Sequence, residues 1–256
     1  MKTSLFTLAA LAITTAASAG VTENPLYAPA AGKFYSVTGV EIGPKSRMDK
    51  SMYTGISEKF GYGVTDAFNV ALDLGYDSYS SDFKNGGGVK NGLSGYGLNL
   101  AWRYAGGGFI GDLYGRYGSV LKNRATKLAG IGVGPTNSAS SDLTIGTRFG
   151  VKKDAYTVSG KIEYDYSKAG DDKDGYYLFG VDGQYQFVPA FSANLGLEYI
   201  KANGDIDIGK RPLNYVVGLN WDINPENVAT LYIRDNLRSD DGEKDTAYGV
   251  KYGVQF

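Results

Sequence analysis

The sequence predicts an all-β chain: a transmembrane, antiparallel, up-and-down β-barrel of about 12 strands. Three observations lead there. Apolar and small or polar residues alternate through segment after segment, and charge stays off the apolar side. Short and long connections follow one another in strict turn. The composition fits as well, with 37 Gly and 21 Tyr but no Cys and no His in 256 residues. After Ile13, no apolar run approaches the roughly 18 residues a membrane helix needs.

The chain opens MKTSLFTLAALAITTAASAG. Lys2, the apolar stretch Leu5 to Ile13, and Ala17-Ser18-Ala19 follow the order of a secretory signal peptide over residues 1–19. Cleavage after Ala19 would take the 256-residue chain to 237 residues. Loss of Lys2 takes the 26 basic residues to 25 against 27 acidic ones, a net −2, which gives no support to nucleic-acid binding. Residues 20–32 are expected to form a periplasmic extension, and 33–256 the barrel.

The first strand, about Lys33 to Ile42, does not declare its facing. In Ser51 to Tyr62 the adjacent Glu58 and Lys59 put one charge on the wrong side unless a bulge intervenes. From there the pattern sharpens. Phe68, Val70, Leu72, Leu74 and Tyr76 oppose Asn69, Ala71, Asp73, Gly75 and Asp77. Tyr96 to Tyr104 repeats the alternation. Phe109 to Val120 shows only a thin apolar face of Gly111, Leu113, Gly115 and Tyr117. The segments starting at Leu143, Tyr156, Tyr177, Phe191 and Leu213 alternate in the same way. In the last one, Tyr248, Val250, Tyr252, Val254 and Phe256 fall on one side. A Lys or Arg facing the bilayer midplane costs roughly 2–4 kcal/mol, so a lipid-facing sheet has reason to be strict. Tyr, Phe and Trp at the segment ends predict two interfacial girdles.

Five joints are tight: 64–67, 105–108, 152–155, 188–190 and 224–227. Six polar stretches are longer: 43–50, 78–92, 121–141, 167–175, 202–212 and 236–246. Short periplasmic turns and long outer loops produce this sorting, and a Greek-key sandwich does not.

The ending YGVKYGVQF is similar to the C-terminal insertion signal of Gram-negative outer-membrane β-barrels, and the whole chain resembles that class. The hairpin FGYGVTDAFNVALDLGY resembles those of small porin-like proteins. In size the nearest comparison is the monomeric twelve-stranded channels, such as oligogalacturonate and sialic-acid porins. The resemblance implies an outer-membrane location, contact with lipid and lipopolysaccharide, and handling by periplasmic chaperones and the barrel assembly machinery. It also implies passage of small polar solutes. Those channels have interiors rich in Arg and Lys, and this chain departs from them.

With the apolar faces outward, the pore-lining candidates near mid-height are Asp73, Arg116, Lys161, Glu163, Asp182, Glu198, Arg234 and Lys251, four acidic and four basic. Inward Gly95, Gly97, Gly146, Gly180, Gly196, Gly218, Gly249 and Gly253 are expected to leave room. The favoured expectation is a porin-like channel for passive diffusion of small polar solutes or ions. The alternative is a structural or surface-interaction barrel whose lumen is closed by salt bridges. No enzyme is expected: without His there is no Ser-His triad, and Glu163 with Asp165 lies among ordinary lumen residues. No cofactor and no metal site is expected. The acidic stretches GDDKDG, NGDIDIG and SDDGEKD (from Gly170, Asn203 and Ser239) match no complete EF-hand and suit solvated turns. GIGVGP, from Gly130, lacks the strand-to-helix setting of a phosphate loop.

Overall fold

The computed structural model describes residues 25–46, 51–80, 89–120, 140–153, 155–169, 172–203, 213–224, 226–236 and 246–256. The leader 1–19, the GIGVGP stretch and most of the predicted outer loops lie outside them. Twelve strands are described: β1 (Phe34–Ser46), β2 (Ser51–Gly63), β3 (Phe68–Ser80), β4 (Val89–Gly106), β5 (Phe109–Val120), β6 (Ser140–Lys153), β7 (Tyr156–Ala169), β8 (Asp172–Val188), β9 (Phe191–Asn203), β10 (Leu213–Asn224), β11 (Asn227–Asn236) and β12 (Ala247–Gln255). Each pairs antiparallel with its chain neighbours, and β12 pairs with β1, closing the barrel. Closure leaves no edge, which a sheet in hydrocarbon requires.

The outer surface follows the predicted parity. Leu72, Leu98, Leu100, Leu113, Ile145, Ile162, Val181, Leu195, Leu219 and Val250 are exposed around the middle of the wall. Aromatic rings gather at both ends. At the turn end, Phe187, Phe191 and Trp221 stack in series at 6.4 and 6.3 Å, and Phe34 meets Tyr62 at 4.5 Å. Tyr76, Tyr96, Tyr117, Tyr177 and Tyr248 stand toward the loop end. An apolar belt between two aromatic rims is the exterior a bilayer selects.

The weak strands resolve simply. The first strand turns Phe34, Val40 and Ile42 outward and Tyr35, Val37 and Glu41 inward. No register shift separates β2 from its neighbours at Glu58 and Lys59. Glu58 therefore shares the outer face with Ile56 and Phe60, and Lys59 points inward. The thin face of β5 is thickened by a neighbour: a Cβ on Gly111 would stand 2.2 Å from the Tyr104 ring, which fills that space.

Two connections are shorter than expected. The β1–β2 ladder runs to Ser46↔Ser51, which leaves only 47–50 of the predicted stretch 43–50 between the strands. The stretch 167–175 is not a long loop, because the β7–β8 ladder runs on through Lys168↔Lys173 to Ala169↔Asp172. Of the three acidic stretches, this one enters β8 with its backbone from Asp172, NGDIDIG contributes only Asn203 at the end of β9, and SDDGEKD lies outside the described residues.

Residues 25–33 are not part of the wall. Gly32, at φ 78°, takes a left-handed conformation open to glycine at little cost, and the chain reverses there. Gly32 N donates to Gly63 O at 2.7 Å, and Gly63 N donates to Lys33 O at 2.9 Å. Upstream of this reversal, Pro25, Leu26 and Pro29 are buried.

Candidate functional site

All eight predicted pore-lining residues, Asp73, Arg116, Lys161, Glu163, Asp182, Glu198, Arg234 and Lys251, sit on the inward parity of their strands. They form three separate groups. In the first, on β2 to β5, Asp73 accepts from Arg116 at 3.3 Å and from Asn99 Nδ2 at 2.5 Å, with Lys59 Nζ 3.8 Å away. In the second, on β5 to β9, Lys161 donates to Glu198, with Glu163 at 4.0 Å. Tyr114 donates to Glu163 at 2.6 Å, and the Arg148 guanidinium lies 5.3 Å from the Tyr114 ring centroid. Asp182 shares this wall, and Thr144 donates to Asp165 above it. In the third, at the closure, Glu41 accepts from Arg234 at 2.5 Å and from Tyr232 at 2.9 Å. Lys251 Nζ lies 4.9 Å from the Tyr232 ring centroid.

A repeated device builds these groups. Lys161, Gly180 and Glu198 stand directly opposite one another on β7, β8 and β9. So do Tyr114, Gly146 and Glu163 on β5, β6 and β7, and Tyr232, Gly249 and Glu41 on β11, β12 and β1. In each row the long donor lies over the glycine and meets the acid one strand further on. A Cβ on Gly180 would come within 2.5 Å of Lys161, one on Gly146 within 2.6 Å of Tyr114, and one on Gly249 within 2.1 Å of Tyr232. Arg116 uses Gly97 likewise to reach Asp73. The inward glycines thus make room for neighbouring side chains to lie along the wall. Each acid is paired with a nearby donor, as burial of charge demands.

Sequence reasoning missed several members of these groups. Glu41 was hidden by the undecided facing of β1, and Lys59 by its neighbour Glu58. Arg148 and Asp165 carried the right parity but lay outside the mid-height set. Tyr114 and Tyr232 counted only as aromatics, although their hydroxyls bond to the inward acids.

The N-terminal segment meets this wall near the turn end. Arg103 on β4 donates to Leu26 O, and its guanidinium is also paired with Asp112 at 2.9 and 3.2 Å. Arg148 on β6 donates to Pro25 O. Tyr27 donates to Gln255 on β12 at 2.8 Å and packs edge-on to Tyr35 at 6.0 Å. Burial pushes the Tyr27 phenol up to about 12. Beneath it, inward Tyr35, Val37, Ala71 and Val228 form an apolar cluster, unusual in a polar interior.

The predicted assembly residues Tyr248, Val250, Tyr252, Val254 and Phe256 lie on the outer face of β12. Phe256 N donates to Phe34 O at 2.9 Å, so the last residue continues the closing ladder.

No protein-family model matches the sequence, and no curated protein matches it. Solved structures do. An outer-membrane channel from Pseudomonas putida F1 is similar with TM-score 0.62 at 14% identity, over 90% of this chain and 98% of that one. The KdgM porin, in complex with disordered oligogalacturonate, gives 0.57 at 11% over 86% and 99%. The translocator domain of the autotransporter NalP from Neisseria meningitidis gives 0.55 at 13% over 98% of each chain. At such identities the likeness is one of fold: this chain has the architecture of outer-membrane β-barrels.

Proposed function

We propose that the chain is an outer-membrane porin-like channel for passive diffusion of small polar solutes or ions. One observation carries the reading. Among the described residues, Lys161, Arg116, Arg234, Tyr114 and Tyr232 reach acids two strands away around the wall, not acids on the opposite wall. Salt bridges that closed the lumen would join opposite walls. The pairs Lys161–Glu198, Arg116–Asp73 and Arg234–Glu41 join strands that are neighbours but one. That geometry neutralises wall charge without tying opposite walls together. It favours the channel over the salt-bridge-closed alternative.

The reading includes export by a cleaved leader over residues 1–19, insertion by the barrel assembly machinery with periplasmic chaperones, and contact with lipid and lipopolysaccharide. The turn end then faces the periplasm. The chain is read as non-enzymatic: the sequence holds no His and no Cys, and inward Glu163 and Glu198 are engaged with donors on the wall. With acid and base balanced, selectivity between small ions is expected to be weak.

The test is single-channel recording of refolded residues 20–256 in a planar bilayer. Discrete ohmic openings with a reversal potential close to zero in a salt gradient are expected. A folded barrel without openings, both with and without its N-terminal segment, would overturn the reading.

A further inference from the structure

The strands that hold the N-terminal segment are not neighbours. In a closed ring of twelve, β6 and β12 stand opposite one another. Pro25 is held from β6 by Arg148, and Tyr27, two residues later, reaches Gln255 on β12. Between them, Leu26 is held from β4 by Arg103. The segment therefore spans the lumen at its turn end. It also covers the apolar patch of Tyr35, Val37, Ala71 and Val228, and Leu26 is only 3% exposed.

We propose that residues 25–31 are a displaceable plug that closes the periplasmic side of the lumen and swings out about Gly32 to open it. This rests on the channel reading. The attachments suit such a role. Residues 25–27 are gripped by side chains from the wall, while the strands are held by continuous backbone ladders. The fixed point is lower down: Ala31 N donates to Asp66 at 3.0 Å, and Gly32 bonds to Gly63. Gly63 admits the segment because it has no side chain; a Cβ there would stand 2.1 Å from Ala30 O. Gly32 supplies the reversal in open space, with no atom within 4 Å of a Cβ built on it, so a substitution there strains the turn without touching the wall.

The test compares four refolded chains in planar bilayers: residues 20–256, the same chain lacking 20–31, the Gly32→Val variant, and Tyr27→Cys/Gln255→Cys bridged by a short bis-maleimide. The native chain holds no Cys, so the bridge has one possible site. Deletion is expected to raise the mean conductance several-fold, Gly32→Val to raise the open fraction, and the bridge to hold the chain in its lower level. Equal conductance in the full-length, deleted and bridged chains would overturn the plug and leave the channel standing. Silence from all four, the deletion included, would overturn both. Should the deleted chain fail to fold, the bridged chain still decides: openings to the upper level at the unbridged frequency would refute displacement.

Discussion

Replacing Ser36 by Ala and Thr38 by Val should damage the barrel only while Glu58 is present. Glu58 faces outward beside Ile56 and Phe60, opposite Thr38 and Leu74. Four residues of strand separate Thr38 from Phe34, which at a usual rise and tilt is about 10 Å of height in an apolar belt about 25 Å tall. A carboxyl therefore stands near the middle of the lipid face. Both its oxygens are engaged: Ser36 Oγ donates to Oε1 at 2.6 Å and Thr38 Oγ1 to Oε2 at 2.5 Å. Removing both hydroxyls orphans two acceptors where water cannot replace them, at about 1–3 kcal/mol each. Allowing for relaxation, the double variant should lose about 2–4 kcal/mol. On a Glu58→Leu background the same two changes should cost under about 1 kcal/mol, giving a coupling near 2 kcal/mol. Glu58→Leu alone should be neutral or stabilising, because it removes an acid from the lipid face. Urea unfolding in lipid vesicles reads all four corners, and Trp102 and Trp221, both outward and about half exposed, report the transition. A coupling below about 0.5 kcal/mol would refute the reasoning.

Other outcomes follow from the wall. Lys161→Met should destabilise the barrel by about 3–5 kcal/mol in the same assay, because it strands buried Glu163 and Glu198, and adding Glu198→Gln should recover part of the loss. Gly249→Val should cost about 1–3 kcal/mol by driving the Tyr232 ring off the wall and away from Glu41, and Tyr232→Ala should relieve it in the double variant. Lys251→Glu should shift the reversal potential toward cations by reversing one inward charge beside Tyr232. Deleting Phe256, which is 62% exposed, should barely move in-vitro stability, yet should lower the heat-modifiable folded band in cell membranes.

Much of the fold was legible because a membrane barrel asks for one simple pattern. Lipid forbids charge on one face, and the period of two then places every inward residue, so Asp73, Lys161, Glu198 and Lys251 could be assigned inward from parity alone. Where the reading stalled, the same rule held the answer. Ile56, Phe60 and Tyr62 share parity with Glu58, so three apolar residues outvote one acid and turn Lys59 inward. The extra pairing of 167–175 was less accessible: Ser, Lys and Asp suit a loop and the wet end of a hairpin equally well, and only the register separates them.

The inner wall shows what one strand read at a time cannot supply. Gly180 looks like empty space within β8, and Lys161 within β7 looks like a charge aimed at the axis. Once the register sets Lys161, Gly180 and Glu198 in a row, the glycine becomes the bed for the lysine, and the charge is spent on the wall. The N-terminal segment carries the same lesson further. Pro25 and Tyr27 are two residues apart in sequence, but the walls they meet, Arg148 and Gln255, are brought face to face only by closure of the ring. A side chain that lies along the wall narrows a barrel a little wherever it occurs, whereas one backbone crossing the lumen governs passage through all of it. Control of flow is therefore expected at residues 25–31 before any of the eight charged positions, and a wall substitution such as Lys251→Glu should express its full effect on selectivity only after that segment has been removed.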